Sequence, residues 1–223
     1  MESSSSCSVV VNYIIDLIAC RQLNTGDKLI PERTLASQLN VSRATVREAI
    51  KVLNYLGFLD STQGSGNYVA EAYHQTVANI MRVIYLRGDV DFQNFTIFRQ
   101  MLELASFDLA VDNATSEQKL ELRQIVDLLD VSTDSKLIVS LDNRFHTLLA
   151  EASHNPLILI NFYALNSVID EYMSDTFHST VSKKNKGYET LQLYHHAIVD
   201  ALISGDHAKG HHAIINHFSW IHP

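Results

Sequence analysis

Glycine and proline are scarce in this 223-residue chain. It has eight Gly and three Pro, where average usage would give roughly 15 and 11. The shortage disfavours a turn-rich all-β fold and favours long helices. There are only two cysteines, Cys7 and Cys20. They cannot build a disulfide framework and are expected as free thiols in a reducing cytoplasm. No apolar run approaches the roughly 20 residues needed to span a bilayer, so no membrane role is expected. The first residues do not read as a secretory signal. Glu2 stands where a basic start is needed, and Asn12 and Asp16 interrupt the apolar stretch. Cations are short too. Lys and Arg number 17 against 25 Asp and Glu, a net charge of -8, which taken alone argues against a nucleic-acid binder. What is plentiful is apolar side chain, 46% of the residues, enough for the cores of one large domain or two modest ones.

The acidity is unevenly spread. Residues 1–72 carry six Lys or Arg and seven Asp or Glu, a net -1, and residues 73–223 carry 11 and 18, a net -7. A boundary near residue 72 separates two patterns. Before it, Val10, Ile14, Leu17 and Ile18 mark a helix over 9–22, which Asn24-Thr25-Gly26-Asp27 breaks. A short second helix follows Pro31, with Leu35, Ala36 and Leu39 inward. Asn40-Val41-Ser42 is a tight turn, and Ser42 is placed to cap a third helix. That helix carries Val46, Ala49, Ile50, Leu53 and Leu56 inward and stops at Gly57. Strands over 58–62 and 67–69 flank a Gln63-Gly64-Ser65-Gly66 loop. Helix, helix, turn, helix, hairpin is the layout of a winged helix-turn-helix, whose third helix can enter a major groove. Between Arg33 and Lys51 there are four cations and one anion, Glu48. Arg43 and Arg47 share a helix face, and Ser42 and Thr45 sit at the positive end of that helix. The glycines around Ser65 allow close approach to a phosphate.

The ordered string Pro31-Glu32-Arg33, Leu35-Ala36, Val41-Ser42-Arg43, Thr45-Val46-Arg47-Glu48-Ala49-Ile50, Gly57-Phe58 and Gly64-Ser65-Gly66 closely resembles the DNA-binding domain of the GntR family of bacterial transcription regulators. The resemblance implies that Arg33, Arg43 and Arg47 contact double-stranded operator DNA, with Ser42 and Thr45 beside them. Gly64, Ser65 and Gly66 would form the wing tip. One difference is that Pro31 stands one place later than the family's proline.

After residue 73 only helical patterns occur. Helices are expected over 75–87, ended by Gly88; over 92–112, with Phe95, Phe98, Leu102, Ala105 and Leu109 inward; over 116–130, opened by a Thr115/Gln118 capping box; and over 135–152. A further helix opens at Asn155-Pro156 and runs to about 178. Ser182 to Gly187 reads as a loop, followed by helices over 188–203 and 207–221. The fold class is therefore mainly α, a winged helix-turn-helix followed by an all-helical bundle of about seven helices. All 11 His lie from His74 onward. Asp142 and His146, four apart, project from one helix face and suit a transition metal. His195 shares a face with Ile198 and Leu202, and His217 with Ile214, so both are expected to be buried and in need of partners. His196, His207, His211 and His212 read as solvated.

The pieces Arg99-Gln100-Met101-Leu102-Glu103, Asp142-Asn143-Arg144-Phe145-His146, Ser153-His154-Asn155-Pro156, His195-His196-Ala197-Ile198 and His217-Phe218 resemble the FCD effector domain of the FadR subfamily. The resemblance implies a divalent metal, Zn²⁺ first with Ni²⁺ or Mn²⁺ as alternatives, on Asp142, His146, His195 and His217. It also implies a small carboxylate effector held by Arg99, and a homodimer. For Arg99 the plain alternative is an intrahelical pair with Glu103, worth about 0.3–0.5 kcal/mol. His154 stands where the family has Gly. The function expected is a ligand-responsive transcription regulator in the cytoplasm. A metal-dependent hydrolase on the same ligands lacks any His-Glu-x-x-His motif or evident general base, and leaves the winged domain unexplained. A protein-binding adaptor leaves Arg43 and Arg47 unexplained.

Overall fold

Helices make up all but two of the regular elements in the computed structural model, which describes residues 6–62, 64–71, 74–172 and 186–219. The chain divides into two units between Thr76 and Val77.

In the first unit, α1 (Ser6–Ala19) buries Val10 and Ile14. It ends three residues before the expected stop, because Arg21 takes a left-handed backbone (φ 55°). Asn24 then donates its backbone N–H to Asp27 Oδ2 at 2.7 Å, which closes the turn. α2 (Glu32–Gln38) starts directly after Pro31, whose φ of -55° suits a helix entry. The displaced proline thus sets the helix start and leaves Arg33 within its first turn. Asn40 (φ 52°) turns the chain into α3 (Arg43–Tyr55). Ser42 Oγ accepts the Thr45 N–H at 3.1 Å, a cap worth about 1 kcal/mol. α3 buries Val46, Ala49, Ile50 and Leu53. Leu56, expected inward, is 45% exposed, because it is the C-cap just before left-handed Gly57. β1 (Leu59–Thr62) and β2 (Gly66–Val69) pair antiparallel, from Leu59↔Val69 to Thr62↔Gly66. A single bridge joins Lys28 to Tyr68. The core gathers Val10, Ile14, Leu35, Val46, Leu53, Leu59 and Val69.

The remaining helices are α4 (His74–Leu86), α5 (Phe92–Asn113), α6 (Ser116–Val131), α7 (Ser135–Ala152), α8 (Pro156–Tyr172), α9 (Lys186–Ser204) and α10 (His207–Ser219). Their starts follow local chemistry. Asp91 and Asn94 bond reciprocally at the head of α5, and Thr115 and Gln118 do the same for α6. Asn155 Oδ1 accepts the Leu157 and Ile158 N–H groups at the head of α8. The expected continuation of α8 to about 178, most of the Ser182–Gly187 loop, and the end of the last helix lie outside the described residues. Lys186 and Gly187, expected in that loop, belong to α9. His154, in the place of a family glycine, adopts φ 52°, the conformation a glycine reaches without strain.

α7 packs against α5, α6 and α8; α9 packs against α6 and α10; and α10 packs against α5. Phe107, Phe145, Leu148, Leu149, Ile198 and Ile214 are fully enclosed. α10 approaches α5 through Gly210, where a Cβ would lie 2.0 Å from Phe107 Cζ. His207 and His211 flank that ring and both meet Asp108 Oδ1, at 2.7 and 2.8 Å. His196 likewise meets Asp130 at 2.8 Å. These histidines, expected as merely solvated, therefore tie helices together.

α5 departs most from expectation. Phe95 is buried, but Ala105 and Leu109 are exposed. The enclosed stripe is Thr96, Arg99, Glu103, Ser106, Phe107 and Ala110. The inward face is largely polar, so apolar periodicity located it wrongly. No helix among the described residues is long and apolar enough to cross a membrane.

Candidate metal centre and nucleic-acid interface

Four helices bring six ionisable side chains to the middle of the bundle. α5 supplies Arg99 and Glu103, α7 Asp142 and His146, α9 His195, and α10 His217. None is more than 5% exposed. The three imidazoles each offer a nitrogen within 4.8 Å of the others, with ring centres 4.6–5.4 Å apart. Asp142 reaches two of them, with Oδ1 3.4 Å from His195 Nε2 and Oδ2 3.8 Å from His146 Nε2. The four residues expected as ligands, 75 positions apart at the extremes, are thus neighbours.

Burial dominates their electrostatics. It holds all three imidazoles well below the ordinary histidine value; the Arg99 charge adds to this, and the rings depress one another at His195 and His217. The rings are therefore neutral and carry lone pairs, the form that ligates metals. Burial pushes the Asp142 carboxyl up to about 7 against the pull of Arg99, with a further push from Glu103. Glu103 is also raised to about 7 by burial, again opposed by Arg99.

His195 Nδ1 and Nε2 and His217 Nδ1 are buried with no hydrogen-bond partner among the described residues. An unmet buried polar atom costs about 1–3 kcal/mol. Neutral nitrogens facing one another beside a carboxylate are a donor set for a divalent cation, so the residues present fit one. Arg99 lies with its guanidinium carbon 5.6 Å from the centre of the Phe162 ring. Its Nε donates to Glu103 Oε1 at 3.1 Å. The intrahelical pair is thus real, but it is enclosed rather than a surface pair. Glu103 also meets His146 Nδ1 through Oε2 at 2.7 Å. Sequence reading noticed Glu103 only as a neighbour of Arg99. It missed Gln192, one turn before His195, whose Oε1 is buried with no partner among the described residues.

In the first unit, Arg33, Arg43 and Arg47 are exposed, as are Ser42, Gly64 and Ser65. Thr45 and Gly66 are half-buried. Glu32 draws Arg47 and Arg43 together, with Oε2 2.7 Å from Arg47 Nε and 4.0 Å from Arg43 Nη2. At the hairpin tip Gly64 (φ 78°) and Gly66 (φ 129°) hold conformations closed to other residues without strain. Ser65 Oγ bonds Tyr68 Oη at 2.6 Å. Lys28 lies over the Tyr68 ring, 5.6 Å from its centre, and so adds a cation beside the wing. Sequence reading missed it because the Lys28–Tyr68 bridge spans 40 positions.

Residues 8–69 match the family described as bacterial regulatory proteins, gntR family, and residues 96–219 match the FCD domain. The chain is 28% identical over 202 residues to the HTH-type transcriptional regulator LutR of Bacillus subtilis, covering 89% of this chain and 91% of that protein. It is 25% identical over 215 residues to the Glc operon transcriptional activator of Escherichia coli, covering 94% and 80%. Among solved structures, the fold matches Streptococcus agalactiae GntR with a TM-score of 0.72 at 22% identity, over 96% of this chain and 98% of that one. The two family matches fall one on the winged head and one on the helical bundle. The chain belongs to the GntR family of bacterial transcription regulators, in its FCD-containing branch.

Proposed function

We propose that the chain is a homodimeric transcription regulator that senses a small carboxylate through a divalent metal. Residues 1–72 are its DNA-reading part, and residues 73–223 its effector, metal and dimerisation part. The reading rests above all on the enclosed cluster of Asp142, His146, His195 and His217, in which both His195 nitrogens and His217 Nδ1 have no hydrogen-bond partner among the described residues. A cation held by these four residues would supply a positive centre to which a carboxylate oxygen binds. Arg99, enclosed nearby on α5, can pair with a carboxylate in the bidentate geometry that a guanidinium fork allows. Gln192 Oε1 is an acceptor awaiting a donor. One carboxylate and three imidazoles suit Zn²⁺ first, and Ni²⁺ or Mn²⁺ next.

On the DNA side, we assign Arg33, Arg43 and Arg47 to base and phosphate contacts, Ser42 and Thr45 to phosphates at the positive end of α3, and Gly64, Ser65 and Gly66 to the wing tip. Glu32 pairs with the recognition arginines when DNA is absent and gives them up when it binds. An exposed pair of this kind is worth only about 0.2–1 kcal/mol, which phosphate and base contacts exceed. A dimer would set two α3 helices on a two-fold operator. The exposed apolar side chains Ile80, Val83, Ile97 and Met101 on α4 and α5 support a surface covered by a second copy. The effector acts by binding one arrangement of the heads better than another, since a ligand without such a preference shifts nothing. Operator DNA in a bacterium places the action in the cytoplasm.

The test is a thermal-shift screen of small carboxylates with Zn²⁺ present. At 100 times its Kd, a true effector adds about 2.7 kcal/mol of stability and raises the midpoint by roughly 5–11 °C. The shift should vanish in the Arg99→Ala variant. A screen in which no carboxylate moves the wild-type midpoint would count against carboxylate sensing.

A further inference from the structure

We propose that Glu103 is the positioning residue of the cluster: its carboxylate fixes His146 as the Nδ1–H tautomer and turns the Nε2 lone pair toward Asp142 and the other two histidines. The proposal rests on the metal-site reading above. It is carried by geometry on two helices. Glu103 is fully enclosed and each of its oxygens meets a different group. Oε1 accepts from Arg99 Nε at 3.1 Å and Oε2 lies 2.7 Å from His146 Nδ1. In the ionised form that the Arg99 pair favours, both Glu103 oxygens accept, and the hydrogen between Glu103 and His146 then belongs to the ring. A neutral imidazole carries one N–H. With that hydrogen on Nδ1, Nε2 is the basic nitrogen, and Nε2 is the atom that faces Asp142 Oδ2 at 3.8 Å.

The other two rings lack this support. Nδ1 of His195 and Nδ1 of His217 have no hydrogen-bond partner among the described residues. Either tautomer is open to them until a cation decides. His146 is therefore the preset ligand, and the other two complete the site around it. An acceptor behind a ligating histidine holds the ring in place and raises its basicity, and losing such a partner typically costs 10–100-fold in metal affinity. Glu103 does this while also holding Arg99, so one side chain orders both the metal ligand and the residue assigned to the effector.

The Glu103→Gln variant separates this from a packing role. Gln has the same shape but only one oxygen. It can accept from His146 or from Arg99, and its NH₂ then opposes the other donor. Two measurements on the full chain decide the matter. The first is the imidazole ¹⁵N spectrum of metal-free wild type. The expected result is His146 protonated on Nδ1 with a bare Nε2, and a proton on Nε2 overturns the proposal. It needs no variant, so it stands even if Glu103→Gln fails to fold. The second is Zn²⁺ competition against a chromophoric chelator. Glu103→Gln should bind 10–100-fold more weakly than wild type, and equal affinity overturns the positioning role alone. A wild-type chain that binds no Zn²⁺ overturns the metal-site reading and this proposal with it.

Discussion

Alanine at Arg43 or Arg47 is expected to weaken binding to the operator by roughly 5- to 150-fold for each substitution. That range corresponds to about 1–3 kcal/mol for a lost base contact. The side chains of Arg43 and Arg47 are 59% and 60% exposed, and their contact to Glu32 is a surface pair. Removing them should change stability by no more than about 0.5 kcal/mol, so any loss of binding is a loss of contact. The salt dependence separates the kinds of contact. A variant that has lost a phosphate contact gives a log–log salt slope shallower by about 0.9. A variant that has lost a base contact keeps its slope and loses discrimination between operator and unrelated DNA. Gel-shift titrations at two salt concentrations, on operator and scrambled sequence, read both. Unchanged affinity in both variants would contradict the assignment of α3 as the reading helix.

The second large effect concerns metal. Wild-type protein purified without a His tag should carry about one equivalent of divalent metal per chain, and the double variant His146→Ala, His195→Ala should carry almost none. Two of three mutually facing imidazoles would be gone, leaving Asp142 and His217, too few for a closed site. Stability should follow in a way that packing alone does not produce. In metal-free protein the substitutions leave a cavity but also delete His195 nitrogens that are buried without partners, and these terms oppose each other. In metal-loaded protein the wild type gains about 2.7 kcal/mol at 100 times its Kd, and the variant gains nothing. Added Zn²⁺ should therefore raise the unfolding midpoint of wild type only. Equal metal content in the two proteins, by elemental analysis, would refute the ligand assignment.

How much of this was legible in the sequence depended on how local the signal is. Ser42, the Thr115/Gln118 box and Asn155-Pro156 each act within three residues, and their helices start where those residues put them. His195 and His217 were recognisable as buried because Ile198, Leu202 and Ile214 share their faces. α5 was harder. Its enclosed stripe carries Thr96, Arg99, Glu103 and Ser106, so a rule that turns apolar residues inward favoured Ala105 and Leu109, which are exposed. The polarity of that stripe is the site itself. Glu103 shows in sequence only its neighbour Arg99, whereas its contact to His146 crosses 43 positions. Lys28 is hidden for the same reason. The whole-chain charge of -8 misled by averaging, since the bundle holds nearly all of the excess acid. Charge of that sign opposes contact with phosphates, whereas the cations of the head are gathered between Arg33 and Lys51.

In the function proposed above, an anion bound in the bundle changes how the head holds DNA. The most direct test is the operator affinity of Zn²⁺-loaded protein, titrated with and without the carboxylate that gives the largest thermal shift. The account predicts a change of roughly 5- to 150-fold, as for a coupling of about 1–3 kcal/mol, abolished in the Arg99→Ala variant. A carboxylate that binds the bundle and leaves the operator affinity unchanged would contradict it.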